Sequence, residues 1–371
     1  MRIVVVGCGG GGTNAVNNMI AHGIPGVEFM AVNTDAQHLF NTSKAEIKMQ
    51  IGAKLTGGDG AGGDPAIGEK AAMEDYEMIK KNIAGSKMVF LTAGMGGGTG
   101  TGSIPVVGKI AKDSGALTIA IVTKPFNYEG RHRMRLAEEG IEKLKQVVDT
   151  YIIIPYENIF KLIDGTQNSD DIDLVVDGVL RQAVQAISDL VVKTGKINTD
   201  FSDVRVRMKD QGLAIMGSGI CSGKNRATEA AKKAIGNSLL ENASVEGAKK
   251  MLVNITSSKE ISQLEIKEAM DFIRANADPD VDLKHGVFYE ADMGDNVKIT
   301  VIATGFNSTA KVTSEVVEVN RRQDGDTIPM NYFEQLMSGS SEARNQEDLM
   351  EVPAAARKPY NDTPRQLGFK Y

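Results

Sequence analysis

Two glycine clusters constrain this chain more than any other feature. Gly7-Cys8-Gly9-Gly10-Gly11-Gly12-Thr13-Asn14 follows the β-branched run Arg2-Ile3-Val4-Val5-Val6. Gly94-Met95-Gly96-Gly97-Gly98-Thr99-Gly100-Thr101-Gly102 follows the apolar run Met88 to Thr92. Each leads into apolar residues at helical spacing, Val16, Met19 and Ile20 in the first case and Pro105 to Lys112 in the second. Glycine lets a backbone turn sharply and come close to a ligand, at an entropic cost on folding. A helix that starts at such a turn points unpaired N–H groups at whatever lies there, which favours an anion. Two such turns on neighbouring strands imply one polyphosphate held between them, with Thr99 and Thr101 adding hydroxyl donors. A third cluster, Gly57-Gly58-Asp59-Gly60-Ala61-Gly62-Gly63-Asp64-Pro65, is placed to close over its end.

The surrounding pattern predicts strands over 2–6, 27–32, 88–92, 117–123 and 151–154, with helices over 14–20, 68–83, 105–112 and 133–148. The order βαβ…βαβαβ means a parallel sheet with helices on both faces. Apolar residues at 3–4 spacing run from Ile172 to Val192 over a wide stripe, so this helix should lie between two layers. It ends at the basic turn Lys193-Thr194-Gly195. A second unit follows, with strands over 213–216, 251–256, 287–291 and 297–304 and helices over 225–235 and 261–277. The expected class is α/β: a parallel-sheet nucleotide-binding domain (1–170), a long central helix (171–194), a smaller α/β domain with a mixed sheet (195–307) and a disordered tail (308–371). The tail is rich in Ser, Glu, Arg, Asn and Pro.

A net charge of −6 and a pI near 5.5 argue against nucleic acid as the main partner. Cys8 and Cys221 are too few for a disulfide scaffold, and the four histidines have no metal-ligand spacing. No apolar run approaches the ~18 residues of a membrane span. The run before Val5-Val6-Gly7-Cys8 is too short for the h-region of a signal peptide. A cytoplasmic protein without direct membrane insertion is expected.

Positions 7, 9 and 12 satisfy G-x-G-x-x-G and Asp35 follows the second strand, which alone suggests a dinucleotide site and an NAD(P)-dependent oxidoreductase. That reading leaves the second glycine cluster unexplained and offers no clear catalytic His or Lys. A Walker A motif is absent, since Ser222-Gly223-Lys224-Asn225 lacks the first Gly and the final Ser or Thr. At 96–102, however, Gly-Gly-Gly-Thr-Gly-Thr-Gly resembles the signature of the tubulin/FtsZ superfamily, and within it the bacterial FtsZ family. Further support comes from Asn33-Thr34-Asp35, from Val122-Thr123-Lys124-Pro125-Phe126-Asn127-Tyr128-Glu129-Gly130 and from Asn198-Thr199-Asp200-Phe201-Ser202-Asp203, so the resemblance covers residues 1–307.

The resemblance implies a GTPase that polymerises head to tail into filaments, scaffolds cell division at the division site, and binds GTP or GDP with Mg²⁺. Carried over residue by residue, Gly10, Gly11, Gly12, Thr13 and Asn14, and Gly96, Gly97, Gly98, Thr99, Gly100, Thr101 and Gly102, bind phosphates, with Gly62 in the third loop. Glu129 contacts the ribose, Arg133 lies beside the nucleotide, and Asp177 faces the guanine N1–H and 2-amino group. Asp200 and Asp203 supply catalytic acids and Asn198 orients their loop. A helix over 172–192 spans ~30 Å, so the loop at 195–203 is far from its own subunit's nucleotide. It can reach only that of a neighbour, and a head-to-tail contact of this kind generates a filament.

Three features depart from the family pattern. Tyr156 stands where Asn is usual, Asp173 stands where an aromatic commonly stacks on the base, and no clear C-terminal tethering peptide is found, Asp326-Thr327-Ile328-Pro329 and Asp362-Thr363-Pro364 being poor matches. Membrane-tethering and regulatory partners would act through that tail. A poorly hydrolysing structural paralogue of the family is the alternative that these departures keep open.

Overall fold

The computed structural model describes residues 1–159, 169–197, 199–236, 245, 247–258 and 261–306. The expected tail and the position of Asn198 lie outside the described residues. Seven strands form the first sheet: β1 (Ile3–Cys8), β2 (Glu28–Asn33), β3 (Ile47–Gln50), β4 (Met88–Gly94), β5 (Leu117–Lys124), β6 (Thr150–Pro155) and β7 (Gly212–Leu213). All pair in parallel, in the order β3-β2-β1-β4-β5-β6-β7. A parallel sheet must be buried on both faces, and the alternation in β1 shows how this is met. Ile3 and Val5 join Phe29, Ala31, Phe90, Ile119 and Ile121 in one core, against the helix Gly9–His22 and the central helix. Val4 and Val6 join Met30, Val32, Leu91 and Val122 in another, against the helices Thr99–Asp113 and Arg131–Lys145.

The central helix, Ser169–Val192, is sandwiched as its pattern predicts. Val176, Val179, Leu180, Ala183, Val184, Ile187 and Leu190 are buried in a core shared with the second sheet. That sheet comprises β8 (Ile215–Cys221), β9 (Lys250–Ser257), β10 (Asp282–Tyr289) and β11 (Val297–Thr304), in the order β10-β9-β11-β8. It is mixed: β9 and β10 are parallel, while β11 is antiparallel to both β9 and β8. Lys193, expected only as a basic helix end, also joins the units, since its ammonium pairs with Asp189 at 2.9 Å and with Glu290 beside β10.

Several local readings need correction. The stretch 68–83 is two helices, Pro65–Glu74 and Tyr76–Ile83, broken at Asp75, whose carboxylate accepts the Gly52 N–H at 2.8 Å. The expected strand 213–216 is divided between the sheets: β7 closes the first, and after Ala214 the chain enters β8 of the second. The loop expected around Asp200 and Asp203 is the start of a further helix, Phe201–Met208.

Helix Arg226–Gly236 lies against β8 with a face of Ala227, Ala230, Ala231 and Ala234. The approach is so close that a Cβ on Gly217 would collide with the Ala234 carbonyl, and one on Gly219 with that of Ala230. Overpacking of this kind costs about 1–3 kcal/mol. Gly217→Ala is therefore expected to lower the free energy of unfolding by that order, read from denaturant titration followed by circular dichroism, while nucleotide affinity stays at the wild-type value because the first sheet is untouched.

Candidate functional site

Strand order reverses between β1 and β4, which are hydrogen-bonded neighbours. In open α/β sheets, ligands bind beyond the carboxyl ends of the strands at such a switch point. Both glycine clusters sit there. The helices that follow, Gly9–His22 and Thr99–Asp113, start side by side, and neither N-cap, Cys8 or Gly98, supplies a side-chain hydrogen bond. Their first N–H groups are thus left for an anion.

The glycines fall into two sets. Gly9 has φ +72°, and a Cβ on it would lie 2.7 Å from the Gly100 amide nitrogen; one on Gly98 would lie 2.8 Å from that of Asp64. These residues are buried, as are Gly12, Gly96, Gly100 and Gly102, and Gly9, Gly98 and Gly102 bring the three loops into backbone contact, while Gly96 lies against Arg133. Gly10 and Gly97 differ. Their φ is ordinary, a Cβ on Gly97 would meet nothing within 4 Å, and one on Gly10 would meet only His38 at 3.8 Å. Neither backbone strain nor protein packing requires glycine there, so the backbone at both positions is open to close approach by a ligand. Gly11 and Asn14 are exposed beside them, as is Gly62.

The threonines do less than their hydroxyls suggested. Thr101 is buried, and its Oγ1 accepts the Gly96 N–H at 2.8 Å, so it shapes the loop. Thr13 is buried and donates to the Gly9 carbonyl at 2.9 Å. Thr99 bonds Thr34 through the two hydroxyls at 2.6 Å. Asp35, the residue that suggested a dinucleotide site, caps the helix Ala36–Thr42 by accepting the His38 N–H at 2.8 Å.

Beside the loops a cavity of about 330 Å³ is lined by Gly11, Asn14, Glu129, Arg133 and Asp177 of the expected set. Glu129 closes its own turn, accepting the Phe126 N–H at 2.8 Å, and pairs with Arg133 at 2.8 Å. Tyr156 and Asp173, the two departures, also line this cavity. Burial pushes the Tyr156 phenol up to about 12 against a hydrogen bond with Thr123. Burial, and then the charge of Asp173, push the Asp177 carboxyl up to about 7. The sequence assigned no role to Phe126 and Tyr128, although both lie in the stretch 122–130 and both line the cavity.

Asp200 and Asp203 lie at the opposite end of the central helix, whose 24 residues span ~36 Å. They form a capping box: Asp200 accepts the Asp203 N–H at 2.8 Å, and Asp203 accepts that of Asp200 at 3.4 Å. Asp203 also pairs with Lys284 of β10 at 2.8 Å and with Arg207 at 3.5 Å. The preceding segment bridges to the same strand, with the Lys196 N–H donating to the Val287 carbonyl at 2.8 Å.

A raised carboxyl pKa has a defined consequence for stability. Between the ordinary carboxyl value of 3.8 and about 7, the folded state keeps a proton on Asp177 that the unfolded state has lost. Stability from this group is therefore present at low pH and lost as pH rises through that window. Asp177→Asn is expected to raise the melting temperature of the ligand-free protein at pH 8 by a few degrees and to change it little at pH 4.

Known proteins share both sequence and fold with this chain. The model of the Tubulin/FtsZ family GTPase domain matches residues 2–164, and that of the FtsZ family C-terminal domain matches residues 212–307. Among solved structures, an FtsZ dimer from M. jannaschii is 42% identical, with TM-score 0.77, covering 82% of this chain and 88% of its own. CetZ1 from Haloferax volcanii, solved as a GDP-bound monomer, is 18% identical with TM-score 0.72, covering 84% and 96%. CetZ2 from the same organism, solved as a GTPgS-bound protofilament, is 18% identical with TM-score 0.71, covering 91% and 98%. These last two share the fold. With the glycine loops at the switch point, the sandwiched central helix and the mixed second sheet, the chain belongs to the Tubulin/FtsZ family of GTPases, in its FtsZ branch.

Proposed function

We propose that this chain binds GTP at the switch point, polymerises head to tail and hydrolyses the nucleotide at a site that the next subunit completes, as a cytoplasmic scaffold of bacterial cell division. The observation that carries the reading is the pair of helix N-termini without side-chain caps, opening beside a cavity lined by the half-buried carboxyl group of Asp177. The N–H groups of the loops at Gly10, Gly11 and Gly97 receive phosphate oxygens, Glu129 takes the ribose, and Arg133 lies beside the nucleotide. In its ionised form the Asp177 carboxylate accepts from the guanine N1–H and 2-amino group. Adenine lacks that donor pair.

Mg²⁺ is proposed to enter with the nucleotide. No group of three or more His, Cys, Asp or Glu among the described residues could hold a metal unaided, and Mg²⁺ on a nucleotide is held largely by phosphate oxygens and water. When bound it would neutralise charge on the phosphates.

The ~23 Å of central helix between Asp177 and its last residue, Val192, supports a shared site. Asp200 and Asp203 follow the far end of that helix and do not line the cavity, and are proposed to orient the attacking water on a neighbour's γ-phosphate, with Asn198 ordering their loop. Positioning and charge stabilisation are most of what phosphoryl transfer requires. The CetZ2 protofilament is a precedent for assembly in this fold. No described helix is long and apolar enough to cross a membrane, so attachment at the division site would fall to tethering proteins that bind the tail. A second reading, assembly with slow turnover, is favoured by one observation: the carboxylate of Asp203 is already engaged by Lys284 and Arg207.

Phosphate release against protein concentration, with light scattering in parallel, tests both readings. Turnover per subunit is expected to appear only above a threshold concentration and to track assembly. Asp203→Asn, which keeps the shape of the capping box, should lower turnover ~10²-fold and leave GDP affinity within about twofold. Turnover proportional to protein at all dilutions would exclude the shared site. Assembly with negligible wild-type turnover would establish the second reading.

A further inference from the structure

We propose that His38 is a phosphate-binding residue of the nucleotide site, its Nε2–H donating to an oxygen of the γ-phosphate. The proposal rests on the nucleotide reading of the glycine loops. It adds a side-chain donor to a phosphate site otherwise built from backbone N–H groups.

The loops offer few side-chain donors of their own. Thr13 donates to the Gly9 carbonyl, Thr101 is buried against the Gly96 N–H, and Thr99 pairs with Thr34. Arg133 pairs with Glu129. His38 stands where the first and third loops meet. It lies in the first turn of the helix Ala36–Thr42, placed by Asp35, which accepts its N–H at 2.8 Å. The same turn holds the third loop: the Ala36 N–H donates to the Gly58 carbonyl at 3.1 Å, and Asp35 bridges to Asp59. On its other side the ring meets the first loop, with Cε1 3.8 Å from where a Cβ on Gly10 would stand. The imidazole therefore borders the open backbone of Gly10, next to the loop read as closing over the end of the polyphosphate.

The tautomer of the ring follows from Asn33. This residue is buried, and its Oδ1 accepts the Asp35 N–H at 3.4 Å. A backbone N–H can only donate, so the atom that Asn33 turns to His38 is its amide nitrogen, which can also only donate. That nitrogen lies 3.4 Å from Nδ1. Nδ1 is thus the acceptor, and the neutral ring carries its proton on Nε2. Among the described residues Nε2 has no hydrogen-bond partner. A half-buried imidazole whose inner nitrogen is held by a buried amide keeps its outer N–H for whatever occupies the loops. Hydrogen bonds to ionised phosphate oxygens are stronger than those between neutral groups. Because the helix of His38 is tied to the third loop, the contact belongs to the outer end of the polyphosphate, and it is made with GTP and not with GDP.

Calorimetry with GTPγS and GDP as probes tests the assignment. His38→Ala is expected to bind GTPγS about tenfold more weakly than wild type, with GDP affinity within about twofold. Alanine is favourable in a helix, and circular dichroism checks that the variant folds. Nitrogen NMR of the histidine-labelled wild type gives a readout that needs no folded variant for its ligand response. At mildly alkaline pH the His38 ring, assigned by the signals missing from His38→Ala, should show an unprotonated Nδ1, and its Nε2 signal should move with GTPγS and not with GDP. GTPγS affinity within twofold of wild type in His38→Ala, equal losses for both nucleotides, or an Nε2 signal unmoved by GTPγS would each overturn the proposal and leave the nucleotide site standing. A wild-type protein that binds neither nucleotide would overturn both.

Discussion

At the carboxyl ends of β1 and β4 two backbones meet with no side chain between them, and the placement of everything around the site follows from that contact. Gly9 lies against Gly100, Gly11 against Gly94, and Gly98 against the Gly63–Asp64 backbone. Any side chain at these points would push the loops apart and separate two helix N-termini that now open side by side. So many glycines in two loops are unfavourable for folding entropy, and they are tolerated because the sheet beneath supplies large compensation. Both faces of the central strands β2, β1, β4 and β5 are buried, and each fully buried Val, Ile or Phe contributes about 1.5–3 kcal/mol.

The central helix sets the second dimension of the molecule. Its first turns form a wall of the cavity, its middle packs in the core shared by the two sheets, and its last turn is tied to the second sheet through Lys193, Asp189 and Glu290. A helix buried on several sides keeps its length and direction, so the separation between Asp177 and the Asp200–Asp203 pair is fixed by the fold. Neither end can be brought to the other within one chain without breaking that shared core.

Much of this was legible in the sequence where one physical signal acted alone. The β-branched runs and glycine clusters marked β1, β4 and the loops, and the long apolar stripe marked the central helix as sandwiched. Reading became harder where signals competed. Asp200 and Asp203 have the spacing of a capping box, yet Asp in a loop and Asp in a cap look alike until the helix after them is recognised. Residues 213–216 read as one strand because the apolar pattern carries no mark of a chain leaving one sheet for another. Thr101 and Thr13 were hydroxyls beside a phosphate loop, and only burial shows that they serve the backbone. His38 was invisible as a site residue because what distinguishes it, a ring held by the Asn33 amide beside the first glycine loop, has no signature in a sequence.

The capping box bears on how the two acids can differ. The hydrogen bonds of Asp200 come from its own turn, from the Ser202 hydroxyl at 2.6 Å and the Asp203 N–H at 2.8 Å, and they hold its carboxyl below the usual range. Asp203 instead reaches across to Lys284 on β10 and along its helix to Arg207, which in turn bonds Asp282 of the same strand. A carboxylate can accept about four hydrogen bonds, so neither acid is saturated by its structural partners. Asp200 is the exposed, ionised member whose orientation depends only on the turn, whereas Asp203 is braced by the second sheet. In a site completed by the next subunit, the first would meet the incoming surface, and the second would pass the position of β10 on to it. The same cations that stabilise the helix start thus make the second domain, and not the loop alone, the element that aims the pair.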